Sequence, residues 1–107
     1  MTLQNQKPTI LIVDDTPTNL AVLVDVLKAE YRTKVAISGE RAIELALSGP
    51  PPDLILLDIM MPGLSGYAVC ERLKAELATR HVPIIFVTAM SEIDDETRVS
   101  HWEASTM

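Results

Sequence analysis

The chain has little of what marks disulfide-rich, membrane-spanning or nucleic-acid-binding proteins. It contains one cysteine, Cys70, and therefore cannot form an internal disulfide. Its apolar runs are far shorter than a membrane span, and residues 1–7 contain no apolar stretch of the signal-peptide kind. Nine basic residues stand against fifteen acidic ones, and the net charge of -6 would repel nucleic acids and anionic membranes. We therefore expect a cytoplasmic protein that has no nucleic acid and no membrane as partner.

Aromatic residues are also scarce. They make up 4% of the chain, with a single phenylalanine, whereas hydrophobic residues as a whole make up 48%. The core must therefore consist mainly of aliphatic side chains, which favours a layered α/β structure. A length of 107 residues is enough for one domain with one core, and we expect a single domain over residues 1–107.

The most informative stretch runs from Asp53 to Gly66. Four apolar residues before Asp58 predict a short strand buried on both faces, of the kind found in parallel sheets. Pro62 and Gly63 then end the regular structure, so Asp58 is expected at the carboxyl end of the strand, where open α/β sheets bind ligands. A carboxylate there can accept a phosphoryl group if a cation offsets the charge. The alternative is that Asp58 only caps the following turn.

The rest of the chain alternates between strand and helix patterns. Strands are expected at 9–13, 34–37, 54–57 and 84–87, each followed by a helix. Thr16 and Ser65 are candidate N-caps, and Ser91 precedes the fourth helix. A second apolar row on the first helix, Val22 and Val26, points away from the core. Each of the first three predicted helices has an apolar stripe that is expected to face the core. The stripe consists of Leu20, Leu23, Val24 and Leu27 in the first helix, of Ala42, Ile43, Ala46 and Leu47 in the second, and of Gly66, Cys70, Leu73 and Leu77 in the third.

Polar residues follow three of the predicted strands. Asp14 and Asp15 follow the first, Asp58 the third and Thr88 the fourth. Right-handed crossovers bring all these strand ends to one edge of the sheet. Converging carboxylates repel one another, and oxygen ligands of this kind suit a hard cation such as Mg²⁺. Each feature also has an ordinary explanation: the acidic pair as a helix N-terminal charge, and Thr88 as a β-branched strand residue.

Three motifs together resemble the receiver domain of two-component response regulators. They are Asp14-Asp15, the segment from Asp58 to Gly66, and Thr88-Ala89, and the similarity runs from about residue 9 to about residue 98, with 99–107 divergent. The resemblance implies a flavodoxin-like (CheY-like), doubly wound parallel sheet with strand order 2-1-3-4. The stretch 53–88 is especially similar to receivers attached to cyclic-di-nucleotide phosphodiesterase or cyclase domains.

The resemblance also implies a role for each site residue. Asp58 is similar to the phosphoacceptor that takes a phosphoryl group from a histidine kinase. Asp15, Asp58 and the backbone carbonyl of Met60 resemble the ligands of Mg²⁺ (or Mn²⁺), with Asp14 acting partly through water. Thr88 resembles the switch hydroxyl. A receiver of this kind is not itself an enzyme.

The sequence departs from the family after its fourth strand. No lysine follows Lys74, although the family places one after its fifth strand, and the chain is expected to be truncated before the fifth βα unit. We therefore expect a homodimer formed through the apolar edge 84–87 and the first helix.

Two other functions remain open. One is a phosphorylation-independent interaction module that keeps the receiver fold, which the missing lysine favours. The other is a metal-dependent phosphatase with an aspartyl nucleophile, although that class needs an Asp-x-Asp pair and Asp14-Asp15 are adjacent.

Overall fold

The computed structural model describes residues 7–87, in which strands and helices alternate. The predictions for Thr88, the fourth helix and the tail lie outside these residues. Within them, no helix is long and apolar enough to cross a membrane. The elements are β1 (Thr9–Val13), α1 (Pro17–Leu27), β2 (Arg32–Ala36), α2 (Gly39–Leu47), β3 (Leu54–Asp58), α3 (Gly66–Ala75) and β4 (Ile84–Val87).

The four strands form a parallel sheet with the order β2-β1-β3-β4. This confirms the predicted order 2-1-3-4 and the flavodoxin-like class. Val13 of β1 pairs with Leu57 of β3, and Asp58 of β3 pairs with Val87 of β4. The carboxyl ends of β1, β3 and β4 therefore lie side by side.

The second strand differs from its predicted bounds of 34–37. It begins at Arg32, which pairs with Thr9, and it ends at Ala36. Ile37 lies outside it and is 60% exposed. The prediction was wrong because it assigned the polar residues Arg32 and Thr33 to a turn, whereas charged side chains are well tolerated on the edge strand of a sheet.

One face of the sheet carries the main core, which it shares with α2 and α3. The inward residues of β3 and β4, such as Ile55, Leu57 and Ile84, are fully buried against Val69 and Leu73 of α3. Fifteen buried residues form this cluster, which we call the α2–α3 core. It contains Leu11, Val13, Ala36, Ala42, Ile43, Ala46, Ile55, Leu57, Met61, Val69, Cys70, Leu73, Val82, Ile84 and Phe86.

The other face is covered by α1, which packs against β1 and β2. Here Ile10, Ile12 and Leu20 are buried, and the neighbouring apolar residues of the same cluster are only partly buried. We call this cluster the α1 core. Leu54 and Leu56 of β3 are among the half-buried members. The prediction that β3 is buried on both faces therefore holds on the side of the α2–α3 core, where Ile55 and Leu57 are fully buried, and only in part on the side of α1.

The third helix ends earlier than its apolar pattern predicts. Ala75 is its last residue, and Leu77, expected on the core stripe, is 77% exposed. After the helix, the Thr79 hydroxyl donates to the Leu73 carbonyl at 2.7 Å, and Lys74 Nζ donates to the Val82 carbonyl at 2.7 Å. These bonds turn the chain back toward β4.

Cys70 is a buried member of the α2–α3 core, as its place on the helical stripe predicts. Burial raises the pKa of its thiol. The thiol therefore stays protonated at neutral pH and serves as a small apolar side chain.

Candidate functional site

The carboxylates predicted to converge do meet at the carboxyl edge of the sheet. Asp14 follows β1 directly and Asp58 is the last residue of β3, so the register of these neighbouring strands brings the two together. One carboxylate oxygen from each of Asp14, Asp15 and Asp58 can be chosen so that all three lie within 4.8 Å of one another. We call these three residues the acidic cluster. Thr88, the remaining predicted site residue, lies outside the described residues.

The members of the acidic cluster differ in burial. Asp14 and Asp58 are 6% and 5% exposed, whereas Asp15 is exposed. Burying ionised carboxylates is costly unless they are hydrogen-bonded or paired with a cation. The cluster therefore combines two fixed, buried carboxylates with one that is open to solvent.

Asp14 is held by two donors from the start of α1. The backbone N–H of Thr16 donates to its Oδ1 at 2.9 Å, and the Asn19 side-chain amide donates to its Oδ2 at 3.2 Å. Sequence reasoning did not find Asn19. An asparagine in the first turn of a helix has many ordinary roles, and only the fold brings it to the aspartate.

Thr16 occupies the N-cap position of α1, as predicted, and Pro17 follows as the first helical residue. Its side chain, however, makes no capping hydrogen bond. Its backbone N–H is used instead to hold Asp14. Asp14 therefore fits both explanations of the acidic pair. It places negative charge beside the N-terminus of a helix, and it also belongs to the acidic cluster.

Asp58 also makes the turn contact that was its alternative explanation. The backbone N–H of Met60 donates to its Oδ1 at 3.2 Å. This bond helps to fix the orientation of the Asp58 carboxylate at the end of the strand. Met60 lies in the loop after β3, with its side chain 60% exposed. The predicted role of its carbonyl oxygen as a metal ligand remains a prediction.

Glycine fixes the loop between Asp58 and α3. Gly63 has a φ of 76°, a backbone conformation that favours glycine. The N–H of Gly66 donates to the Ile59 carbonyl at 3.1 Å. A Cβ on Gly66 would collide with the Asp58 carbonyl oxygen and lie 2.9 Å from Ile59 Cα. The first turn of α3 therefore packs directly against the backbone of Asp58.

The residue before Gly66, Ser65, caps α3 as predicted, since its Oγ accepts a hydrogen bond from the N–H of Ala68 at 3.3 Å. This cap fixes the start of α3, where Gly66 packs against the end of β3. The position of Asp58 therefore depends on local backbone contacts from both sides of the loop.

The donor set of the acidic cluster fits a hard divalent cation. All three side chains offer oxygen, and their spacing within 4.8 Å lets more than one bind the same ion. Three close negative charges also repel one another unless a cation compensates them. The arrangement therefore combines three oxygen ligands of the kind that suits a divalent cation with two buried carboxylates.

Comparison with known proteins assigns the chain to a family. The profile of the response regulator receiver domain matches residues 10–107, and the chain belongs to this family. It is 49% identical over 88 residues to a probable cyclic di-GMP phosphodiesterase of Vibrio cholerae, a match that covers 82% of this chain and 20% of that protein. It is 44% identical over 82 residues to the response regulator PleD of Caulobacter vibrioides, covering 76% of this chain and 18% of PleD. The chain thus spans about a fifth of the length of these relatives.

A solved structure shows the same fold with a metal ion. The receiver domain of the sensor histidine kinase PA1611 of Pseudomonas aeruginosa has a TM-score of 0.74 and 32% identity to this chain, covering 86% of this chain and 75% of that one. That structure has a magnesium ion coordinated in its active-site cleft.

Proposed function

We propose that this chain is a phosphoacceptor receiver of a two-component response regulator, which accepts a phosphoryl group on Asp58 from a histidine kinase. The observation that carries the proposal is the position of Asp58. It is 5% exposed at the carboxyl end of a central strand, and its carboxylate lies within 4.8 Å of those of Asp14 and Asp15. Membership of the receiver family supports the same assignment.

The proposed reaction is an in-line transfer. An oxygen of Asp58 attacks the phosphorus of a phosphohistidine, a new P–O bond forms, and the P–N bond breaks with its electron pair returning to the imidazole. The hydrogen bond from the Met60 N–H orients the Asp58 carboxylate for this attack. The product is an acyl phosphate on the protein, so the chain accepts a group and does not itself turn over a substrate.

The metal in this proposal is Mg²⁺ or Mn²⁺. Asp15, Asp58 and the carbonyl of Met60 would hold it, and Asp14 would act through a water molecule. When bound, the ion supplies positive charge that lowers the repulsion between Asp58 and the incoming phosphoryl group. Asp15 suits a direct ligand because it is exposed and its carboxylate can turn toward an entering ion.

The test is incubation with Mg²⁺ and acetyl phosphate, followed by intact mass measurement. We expect one added phosphoryl group in the wild type and none in Asp58→Asn. Asp15→Asn should abolish most of the modification and most of the heat of Mg²⁺ binding in calorimetry. Asp53→Asn is a matched control, because Asp53 lies just before the same strand, at the end opposite Asp58, and its carboxylate accepts a hydrogen bond from the Thr9 N–H.

Modification that survives Asp58→Asn would show that the acceptor is another residue. An unmodified wild type that still binds Mg²⁺ would favour the alternative, a phosphorylation-independent interaction module.

We also propose that the chain forms a homodimer through the first helix and the edge 84–87. Val22 and Val26 of α1 are 56% and 69% exposed, as the second apolar row of this helix predicts. On the same face of the sheet Ile85 is 36% exposed, and β4 is an apolar strand whose one partner among the described residues is β3. Contact with a second copy would bury these side chains.

A further inference from the structure

The hydrogen bond between Asn19 and Asp14 has no part in the phosphoryl transfer proposed above. Asn19 lies half-buried in the first turn of α1, and its amide reaches Asp14 Oδ2 at 3.2 Å. A carboxylate only accepts hydrogen bonds, so it is the amide nitrogen that faces it. The bond joins an uncharged helix residue to a buried member of the acidic cluster.

Together with Thr16, Asn19 restrains both oxygens of Asp14. The Thr16 N–H binds Oδ1 at 2.9 Å and the Asn19 amide binds Oδ2. Each oxygen thus already accepts one hydrogen bond, and binding one cation through both oxygens would compete with both donors. Since Asp14 is 6% exposed, water could not readily replace a lost donor.

This restraint bears on which cation the cluster accepts. Ca²⁺ takes six to eight oxygen ligands in a flexible geometry and often binds carboxylates through both oxygens, whereas Mg²⁺ keeps several waters and needs few carboxylates. A carboxylate that is fixed by two donors is a poor bidentate ligand but can still hold a water of the Mg²⁺ shell. The restraint on Asp14 therefore works against Ca²⁺ more than against Mg²⁺.

We propose that Asn19 is a selectivity-determining residue of the acidic cluster, which favours Mg²⁺ over Ca²⁺ by holding Asp14 Oδ2. This inference rests on the proposed function only in requiring that the cluster binds a divalent cation. Asn19 acts through Asp14 and is a positioning residue.

The test is calorimetric titration of the full chain with MgCl₂ and with CaCl₂. Asn19→Leu removes the donor and keeps the same branched arrangement of side-chain heavy atoms. We expect the ratio of Ca²⁺ to Mg²⁺ affinity to rise about fivefold, as the loss of one net hydrogen bond would give. Thr18→Ala is the matched control, because Thr18 is the exposed neighbour on the same helical turn, and its ratio should not change.

A double-mutant cycle separates this role from a merely structural one. In an Asp14→Asn background the carboxylate is gone, so Asn19→Leu should leave the affinity ratio unchanged. A looser fold would weaken both cations together and leave the ratio as it is. Asn19→Ala, which favours the helix, provides a second donor-free variant if Asn19→Leu does not fold.

Three outcomes would overturn the inference. The ratio of Ca²⁺ to Mg²⁺ affinity could stay unchanged in both Asn19→Leu and Asn19→Ala, or Asn19→Leu could shift this ratio equally in the Asp14→Asn background. The third outcome is a wild type that binds neither cation. Failure of the proposed function has a different signature. A shifted ratio together with an unmodified Asp58 after acetyl phosphate treatment would refute phosphoryl acceptance and leave the role of Asn19 supported.

Discussion

The two faces of the sheet are packed very differently. The α2–α3 core contains fifteen buried residues, whereas the α1 core contains three, surrounded by half-buried neighbours. The contrast is visible along β3 alone, where Ile55 and Leu57 are fully buried while Leu54 and Leu56, on the opposite face, are not. The described part of the domain is therefore tightly packed on one side and partly open on the other.

The acidic cluster draws one buried carboxylate from each side. Asp58 is fixed by the loop and by the start of α3, which belongs to the tightly packed face. Asp14 is fixed by the N-terminal turn of α1, which belongs to the more open face. A change in the packing of α1 should therefore alter Asp14 before it alters Asp58.

The largest expected effect comes from truncating a leucine on each face. Leu73 is fully buried in the α2–α3 core, and Leu73→Ala should lower the free energy of unfolding by about 3 kcal/mol through the lost contacts and the cavity. Leu23 is a half-buried member of the α1 core, and Leu23→Ala should cost only about 1 kcal/mol because the site is already in contact with water. Urea unfolding followed by circular dichroism measures both.

The same two leucine variants test the coupling to the acidic cluster. If each still folds, Leu23→Ala should change Mg²⁺ affinity more than its smaller stability loss suggests, because α1 carries the donors to Asp14. Equal losses of stability in the two variants would contradict the difference between the faces.

The next effect concerns the loop that holds Asp58. A Cβ at Gly66 would collide with the Asp58 carbonyl oxygen and lie 3.0 Å from its carbonyl carbon, so Gly66→Ala must displace the strand end or the helix. We expect a loss of about 2 kcal/mol in unfolding free energy, together with slower modification of Asp58 by acetyl phosphate. Gly49→Ala is the matched control, because nothing lies within 4 Å of a Cβ there. Normal modification of Gly66→Ala would show that the loop can shift without moving the carboxylate.

Hydrophobic pattern and strand-end residues were enough to predict a parallel α/β sheet and the convergence of the acidic cluster, whereas the strand order was implied by the resemblance to receiver domains. The pattern failed where local polar contacts decide. It extended α3 to Leu77, although the bonds of Thr79 and Lys74 end the helix sooner. It also placed the start of β2 at residue 34 instead of Arg32, because an edge strand does not need apolar residues.

The contacts that hold the site were harder to predict than the site itself. Asn19 reaches Asp14 across the start of a helix, and the helical pattern of apolar residues carries no information about such a bond. The same limit applies to Thr16, whose position as N-cap was predicted but whose backbone N–H, rather than its hydroxyl, makes the useful bond.

The smallest effect on stability is expected on the open face. Val26 is 69% exposed, so Val26→Asp should change the unfolding free energy of the monomer by less than about 0.5 kcal/mol. If α1 forms part of a homodimer interface, the same change places a charge in that interface and should shift sedimentation equilibrium from dimer mass to monomer mass at micromolar concentrations. Val26→Thr is nearly isosteric and uncharged, and should retain more of the dimer.

Ile85→Lys tests the strand edge in the same way. It is a better choice than Phe86→Lys, because Phe86 is 2% exposed and belongs to the α2–α3 core, so a lysine there would unfold the domain. A wild type that remains monomeric across this concentration range would rule out the dimer. Val22 and Val26 would then be exposed apolar residues without a partner copy, and the difference in packing between the two faces would be a property of the isolated domain.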